Sequence, residues 1–323
     1  MFKKSSIRFL VIILAVLLLV LIIQQLTDSR SRDRNFAGQV MDIDTSKVSQ
    51  IVFENKTGTA RKTVVTKTGG SWKVTRDGVE YRADRQAVRN ILTELTGLKP
   101  ERMAATGKDK WVEYELADNM GLHITLKSPR KTLAGIVIGK FSYHQPTNPY
   151  DRQGKLISYV RRADNDEVFA VNGFLRMTLS DDLSTLRDKY LIRQSVYDNF
   201  TTLTFTYPGD SSFILTRQGN RWLADGIMTD SASVVRYLDN ITPLNSSYFA
   251  DIPPGSNTHS HMLSVEGTNL PSRIEIMAFP ADSANQYLIT SSQNPGTVFS
   301  GREKNLFSTI FRSKSSFIAG QKN

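Results

Sequence analysis

Thr63-Val64-Val65-Thr66-Lys67-Thr68-Gly69-Gly70-Ser71-Trp72-Lys73-Val74-Thr75-Arg76-Asp77-Gly78 reads as two short strands joined by a glycine turn and closed by an Asp-Gly turn. Alternating β-branched and polar residues mark a strand with one buried face, and Gly-Gly or Asp-Gly between such runs marks a tight reversal. The same order returns in the second half as Phe213-Ile214-Leu215-Thr216-Arg217-Gln218-Gly219-Asn220-Arg221-Trp222-Leu223-Ala224-Asp225-Gly226. A strand-like triplet precedes each copy, Ile51-Val52-Phe53 in one and Leu203-Thr204-Phe205 in the other.

A helical pattern comes after each Asp-Gly. The first starts at Asp84 and puts Val88, Ile91, Leu92 and Leu95 on one face; the second starts near Asp230 or Ser231 and does the same with Val234, Leu238 and Ile241. The 3–4 spacing is that of an amphipathic helix, and Asp or Ser before it can accept the free N–H groups of the first turn. Both helices lead through a polar link to alanine, from Leu98 to Ala104 and from Leu244 to Ala250. So many matched events in one order argue for an internal duplication.

Fainter echoes continue. Ile136-Val137-Ile138 resembles Ile274-Glu275-Ile276, and Tyr159-Val160 resembles Tyr287-Leu288. Each half closes on a basic tail with aromatic and aliphatic residues, Leu186-Arg187-Asp188-Lys189-Tyr190-Leu191-Ile192 against Phe311-Arg312-Ser313-Lys314-Ser315-Ser316-Phe317-Ile318. Strands such as Ile157 to Val160 suit a sheet with one buried face. No strand–helix–strand rhythm and no glycine-rich phosphate turn occurs, which excludes α/β. The expected class is α+β: an N-terminal transmembrane helix followed by two repeated units of antiparallel sheet plus helix.

The transmembrane helix is read from residues 7–26. From Phe9 to Ile23 every side chain is Phe, Leu, Val, Ile or Ala, and the run reaches the roughly 20 residues that cross a bilayer. Its exit, Ile22-Ile23-Gln24-Gln25-Leu26-Thr27-Asp28-Ser29-Arg30, carries bulky residues where signal cleavage needs small ones. A signal anchor is therefore expected. Lys3, Lys4 and Arg8 favour a cytoplasmic N-terminus, while Arg30, Arg32 and Arg34 pull the other way. The short leader and the long body after it decide for export of the body. The expected organisation is residues 1–6 as a short cytoplasmic N-terminus, 7–26 as the span, 27–47 as a juxtamembrane linker, 48–195 as the first repeat and 196–323 as the second, degenerate one. The expected location is a bacterial inner membrane, single-pass, with a periplasmic body.

The chain has no cysteine, which removes disulfides, thiol catalysis and thiolate metal sites. Its formal charge is +10, which suggests anionic partners. The cations are spread out apart from clusters at Arg61-Lys62, 127–131 and Arg161-Arg162, read as solvated faces. No nucleic-acid partner is expected.

Chemistry is sparsely written. His259 and His261 would share a face on a strand, yet no third ligand at a recognisable spacing accompanies them. His123 and His144 stand alone. No nucleophile elbow, zinc-protease helix or phosphate loop is present, and Asp181-Asp182 follow Ser180 where negative charge suits a helix start. No enzyme activity, cofactor or metal is expected. Trp72 and Trp222 read as core anchors. The stretch from Tyr143 to Lys155 has no counterpart in the second half, and long unmatched loops often carry function. Tyr143, His144, Tyr150 and Arg152 are therefore the candidate partner-contact residues.

These segments resemble an uncharacterised bacterial family of membrane-anchored domains, catalogued as a domain of unknown function. The residues that carry the likeness are Trp72 after its hairpin, the helix from Asp84 to Leu95, Tyr114-Glu115-Leu116 leading to Leu122-His123-Ile124-Thr125-Leu126, Ile138-Gly139-Lys140, Tyr159-Val160-Arg161-Arg162, Val168-Phe169-Ala170-Val171 and Leu186-Arg187-Asp188-Lys189. The likeness covers residues 48 to 192 well and the second half only as a degenerate copy. Glu115 departs from it, since the family shows glycine at the centre of that triplet. Members occur beside genes for ATP-binding-cassette (ABC) transporters, including auxiliary subunits similar to those of gliding-motility machinery. The resemblance implies association with such a complex and supplies no catalytic residue. The expected function is a non-enzymatic, extracytoplasmic accessory or scaffold subunit of an ABC-type envelope transport system, with the membrane and other envelope membrane proteins as partners. The alternative is a module that binds envelope polysaccharide or peptidoglycan.

Overall fold

A computed structural model describes residues 40–58, 60–145, 154–255, 258–282 and 286–318 of the protein. The quoted hairpins form as their alternation requires. In the first unit β1 (Gln50–Asn55), β2 (Arg61–Thr68), β3 (Ser71–Arg76) and β4 (Val79–Arg82) run as an antiparallel meander, with Ile51 opposite Val65 and Val65 opposite Val74. Asp77 and Gly78 both take left-handed φ at the β3–β4 turn, 51° and 79°. That is the conformation an Asp-Gly pair tolerates and most residues do not.

Helix α1 (Arg85–Gly97) comes next, capped by the Asp84 carboxylate, which accepts the N–H groups of Gln86 and Ala87 at 2.8 and 3.2 Å. It buries Val88, Ile91, Leu92 and Leu95, the four residues that its spacing places on one face. Each contributes roughly 1.5–3 kcal/mol of burial free energy. Beyond it lie β5 (Pro100–Thr106), β6 (Leu122–Lys127), β7 (Thr132–His144), β8 (Lys155–Arg162) and β9 (Glu167–Asn172). The nine strands form one sheet in the order β4-β3-β2-β1-β6-β7-β8-β9-β5. Short helices α2 (Leu175–Thr178) and α3 (Leu183–Leu186) and strand β10 (Tyr190–Ile192) lead out of this unit.

The second unit repeats the order. Strands β11 (Phe200–Thr206), β12 (Phe213–Gln218), β13 (Arg221–Ala224) and β14 (Ile227–Met228) precede helix α4 (Ser231–Ile241). After β15 (Leu244–Asn245) come β16 (His261–Gly267), β17 (Ile274–Pro280), β18 (Tyr287–Ser291) and β19 (Phe299–Ser300), and then helix α5 (Leu306–Ile310). The second sheet runs β14-β13-β12-β11-β16-β17-β18-β19. Where β5 pairs along β9 in the first unit, the second keeps only the bridge between Phe249 and Phe299. Strand β15 instead pairs with β10, joining the units.

Antiparallel sheet thus dominates, with 42% of the described residues in strands and 20% in helices, which corrects the expected α+β class. The helices are short covers on two wide sheets rather than a layer of comparable weight. The expected span, residues 7–26, lies outside the described residues. Among these no helix is long and apolar enough to cross a membrane: the longest, α1, has 13 residues, about 20 Å against a hydrocarbon core of about 30 Å. The signal-anchor, single-pass and inner-membrane expectations are therefore not supported, nor is the cytoplasmic-to-periplasmic orientation that rested on them.

Strand β8 departs from the one-faced expectation, since Ile157, Ser158, Tyr159, Val160 and Arg161 are all buried. Residues 111–116 cover the sheet's second face, with Trp111 and Leu116 packed among Val137, Ile157, Tyr159 and Val168. Arg161, which its sequence neighbourhood marks as solvated, instead fastens this cover. Its guanidinium lies 3.7 Å from the Trp111 ring, Nε donates to the Leu116 carbonyl at 2.8 Å, and Nη2 donates to Asp118 at 2.6 Å. Glu115, at the centre of the same cover, has φ 57°, a conformation that favours glycine over a residue with a Cβ.

Candidate functional site

The tail 186–193 of the first unit organises the most densely paired polar region between the two units. Its backbone docks on the start of α1: the Asp84 N–H donates to the Leu186 carbonyl at 2.8 Å and the Asp188 N–H to the Arg82 carbonyl at 2.8 Å. From the other unit, Asn294 Nδ2 donates to the Asp188 carbonyl at 2.8 Å and Ser291 Oγ to the Leu191 carbonyl at 2.6 Å. Buried backbone carbonyls need such partners, so the tail is fixed from both sides.

Arg187, 3% exposed, is the clamp. Its guanidinium carbon lies 3.7 Å from the Tyr81 ring of the first unit and 4.0 Å from the Phe249 ring of the second, and Nη1 donates to Asp251 at 2.6 Å. A planar, weakly hydrated guanidinium suits this place between two rings. Its Nε has no hydrogen-bond partner, a cost that the ring stacking and the charged pair must offset.

Beside the clamp, the buried Asp188 carboxylate pairs with the Arg82 charge, Nε lying 3.2 Å from Oδ2, and accepts from Arg193 Nη2, while Oδ1 accepts the Tyr190 N–H at 3.2 Å. Arg82 also donates through Nη1 to the Gln293 carbonyl at 3.2 Å. One acid thus draws two arginines from distant parts of the chain to one place. They line a pocket of about 270 Å³ together with Ser71, Trp72, Ala83 and Arg85. Arg85, exposed on the first turn of α1, forms no ion pair among the described residues.

Of the four loop residues proposed from sequence, Tyr143 and His144 are not part of this region. Tyr143 and His144 end β7, with Tyr143 58% exposed and Ser142 Oγ 3.0 Å from His144 Nε2. Tyr150 and Arg152 lie outside the described residues. The two tryptophans, equivalent in sequence, part company: Trp222 is buried, while Trp72 is half-buried and lines the pocket. His259 and His261 do not share a face. His259 precedes β16 and packs edge-on to Phe279, while His261 sits among Tyr207, Tyr287, Phe307 and Phe311 with ring centroids 5.0 to 5.6 Å away. Burial holds His261 and His123 below the ordinary histidine pKa. Among the described residues no group of three or more His, Asp or Glu side chains is placed to hold a metal ion. Asp182 caps α3 by accepting the Ser184 N–H at 3.0 Å.

Fold and site together define a duplicated antiparallel-sheet protein whose units are clamped through buried arginine and aspartate. The chain belongs to the family described as Domain of unknown function (DUF4340), which matches residues 72–262, more than half of its length. That stretch begins at Trp72, runs through the whole 186–193 tail and ends in β16, so most of it lies in the first repeat and it takes in the junction. Neither the comparison with curated proteins nor that with solved structures gives a match.

Proposed function

We propose that this protein is a non-enzymatic accessory or scaffold subunit of an ABC-type transport system. The observation that supports the scaffold role is the junction itself. Arg187 lies between a ring from each unit, and the tail's carbonyls accept hydrogen bonds from the second unit. Two wide sheets held in this way keep a fixed spacing between their outer surfaces, as a subunit that bridges partners requires. The transport setting is supported by the resemblance of the repeat motifs to a family found beside ABC transporter genes.

The test is affinity purification of the tagged full chain from a crosslinked, detergent-solubilised extract of its native cells, with an unrelated tagged protein as the control. ABC-type ATPase and permease subunits are the expected enrichment. Their absence, against a recovered and folded bait, overturns the proposal.

A further inference from the structure

Trp72 stands where two basic regions meet. On one side is the junction pocket, where Arg82, Arg85 and Arg193 face the single carboxylate of Asp188. That carboxylate is already occupied by Arg82 and Arg193. Asp84, which precedes Arg85 in the chain, is engaged as the cap of α1 and lies 3.9 Å from Lys189. The pocket therefore holds more positive charge than its own acids neutralise, and Arg85 is wholly uncommitted among the described residues. Arg82 and Arg193 are also bonded to the Gln293 carbonyl, so Arg85 is the guanidinium left to take a planar oxyanion, which guanidinium recognises through paired N–H groups.

On the other side lie two adjoining hollows of about 570 and 490 Å³, both lined by Lys67, Arg130 and Lys131. No carboxylate lines either hollow. Lys67, Lys127, Arg130 and Lys131 form no ion pair among the described residues; Ser49, Thr66 and Ser128 supply neutral hydrogen-bonding groups between them. Lys67 is the cross-strand partner of Trp72, and its Nζ lies 6.0 Å from that ring. The hollows and the pocket are therefore joined through the Lys67–Trp72 pair into one basic track.

We propose that this track binds a segment of an acidic polysaccharide, with one sugar-acid unit in the junction pocket and the chain running over Lys67 to Arg130 and Lys131. The pocket volume, about 270 Å³, lies near the lower bound of roughly 300 Å³ for small-molecule sites, enough for a single ring with its carboxylate. Trp72 supplies the flat apolar wall that a sugar face packs on, and Arg85 supplies the carboxylate partner. A single-stranded nucleic acid fits less well, because such binders set successive bases on several aromatic platforms and this track offers one. The proposal is independent of the accessory role in transport.

The test is calorimetric titration of the full chain with a short oligogalacturonate, monomeric galacturonate, a neutral maltooligosaccharide and a single-stranded oligonucleotide. Saturable binding is expected for both acidic sugars, tighter for the oligomer, and none for the neutral one. Arg85→Ala, at an exposed and unpaired position, is expected to weaken both acidic sugars by about tenfold. Arg130→Ala weakens the oligomer and leaves the monomer unchanged. Three results overturn the proposal: unchanged affinity in Arg85→Ala, equal binding of the neutral sugar, or tighter binding of the oligonucleotide than of the oligogalacturonate.

Discussion

The two units carry the same hairpin, the same capped helix and the same tail contact, yet they end differently. In the first, the Ala83 N–H donates to the Trp72 carbonyl and the Asp84 N–H to the Leu186 carbonyl; in the second, the Thr229 N–H donates to the Trp222 carbonyl and the Asp230 N–H to the Phe317 carbonyl. The structural counterpart of Leu186 is therefore Phe317, not Phe311 as sequence alignment of the tails suggests. Past that point the first tail continues through Arg187, Asp188 and Arg193 into the second unit, whereas Phe317 turns inward among Phe205, Phe213 and Tyr237. A repeat fixes backbone geometry, and the segment that leaves it decides whether the matched tryptophan closes a core or borders a pocket.

The largest expected effects break this comparison at its matched residues. Trp222→Ala empties a packed core position and should cost about 3–5 kcal/mol in urea unfolding. Trp72→Ala, at a half-exposed position, should cost less than half as much. Equal costs would mean that the two anchors do the same work. Arg187→Ala removes a buried guanidinium stacked between two rings and paired with the exposed Asp251, and should cost about 2 kcal/mol; a loss within about 0.5 kcal/mol, the usual range of a surface change, would show that the units hold together without it.

Glu115→Gly sharpens the contrast from the first unit's side, where residues 111–116 form the cover on the sheet's second face. The φ of 57° at Glu115 costs a Cβ-bearing residue roughly 1 kcal/mol that glycine does not incur. Its carboxylate offsets this only through an exposed pair with Arg176 at 3.6 Å, which is worth little. The variant should gain stability by about 1 kcal/mol, and a loss would mean that the pair with Arg176 outweighs the backbone strain.

The smallest effect concerns pH. His261 on β16 is held below the ordinary histidine value by burial, and His123 on the matched strand β6 likewise. Acidification therefore protonates the unfolded chain before the folded one. Their contribution is intact above the unfolded pKa of about 6.5 and is lost as the pH falls through it toward the lowered folded values. His261→Phe should flatten the fall in urea midpoint between neutral and mildly acid pH, leaving the part due to His123; an unchanged slope would mean that protonation of His261 does not carry its share.

How much of the fold is legible in the sequence depends on the range of the contacts. The hairpins and α1 are, because alternation, an Asp-Gly turn and an Asp cap act within a few residues, and Val88, Ile91, Leu92 and Leu95 are buried as their spacing requires. The balance of classes is not: two short helices have strong local signals, while sheets of nine and eight strands are assembled by pairings that no local pattern displays. Nor is the full burial of β8, which depends on a cover fastened by Arg161 to the Leu116 carbonyl, 45 residues away. The junction is the least legible. Arg187 meets Asp251 across 64 residues and Arg82 meets Gln293 across 211, so no local pattern distinguishes these arginines from solvated ones. A tail rich in Arg and Asp beside aromatic residues is the available signal, and in the sequence it stands only as an echo of the repeat.

The central claim is that the junction makes one cooperative body of two similar units. Native-state hydrogen exchange reads it most directly, by comparing the opening free energies of the core amides on β1 and β6 with those on β11 and β16. Equal values in the wild-type chain, separating in Arg187→Ala, are the predicted result. Unequal values in the wild type, unchanged by the substitution, would show that each unit unfolds by itself and would contradict the claim.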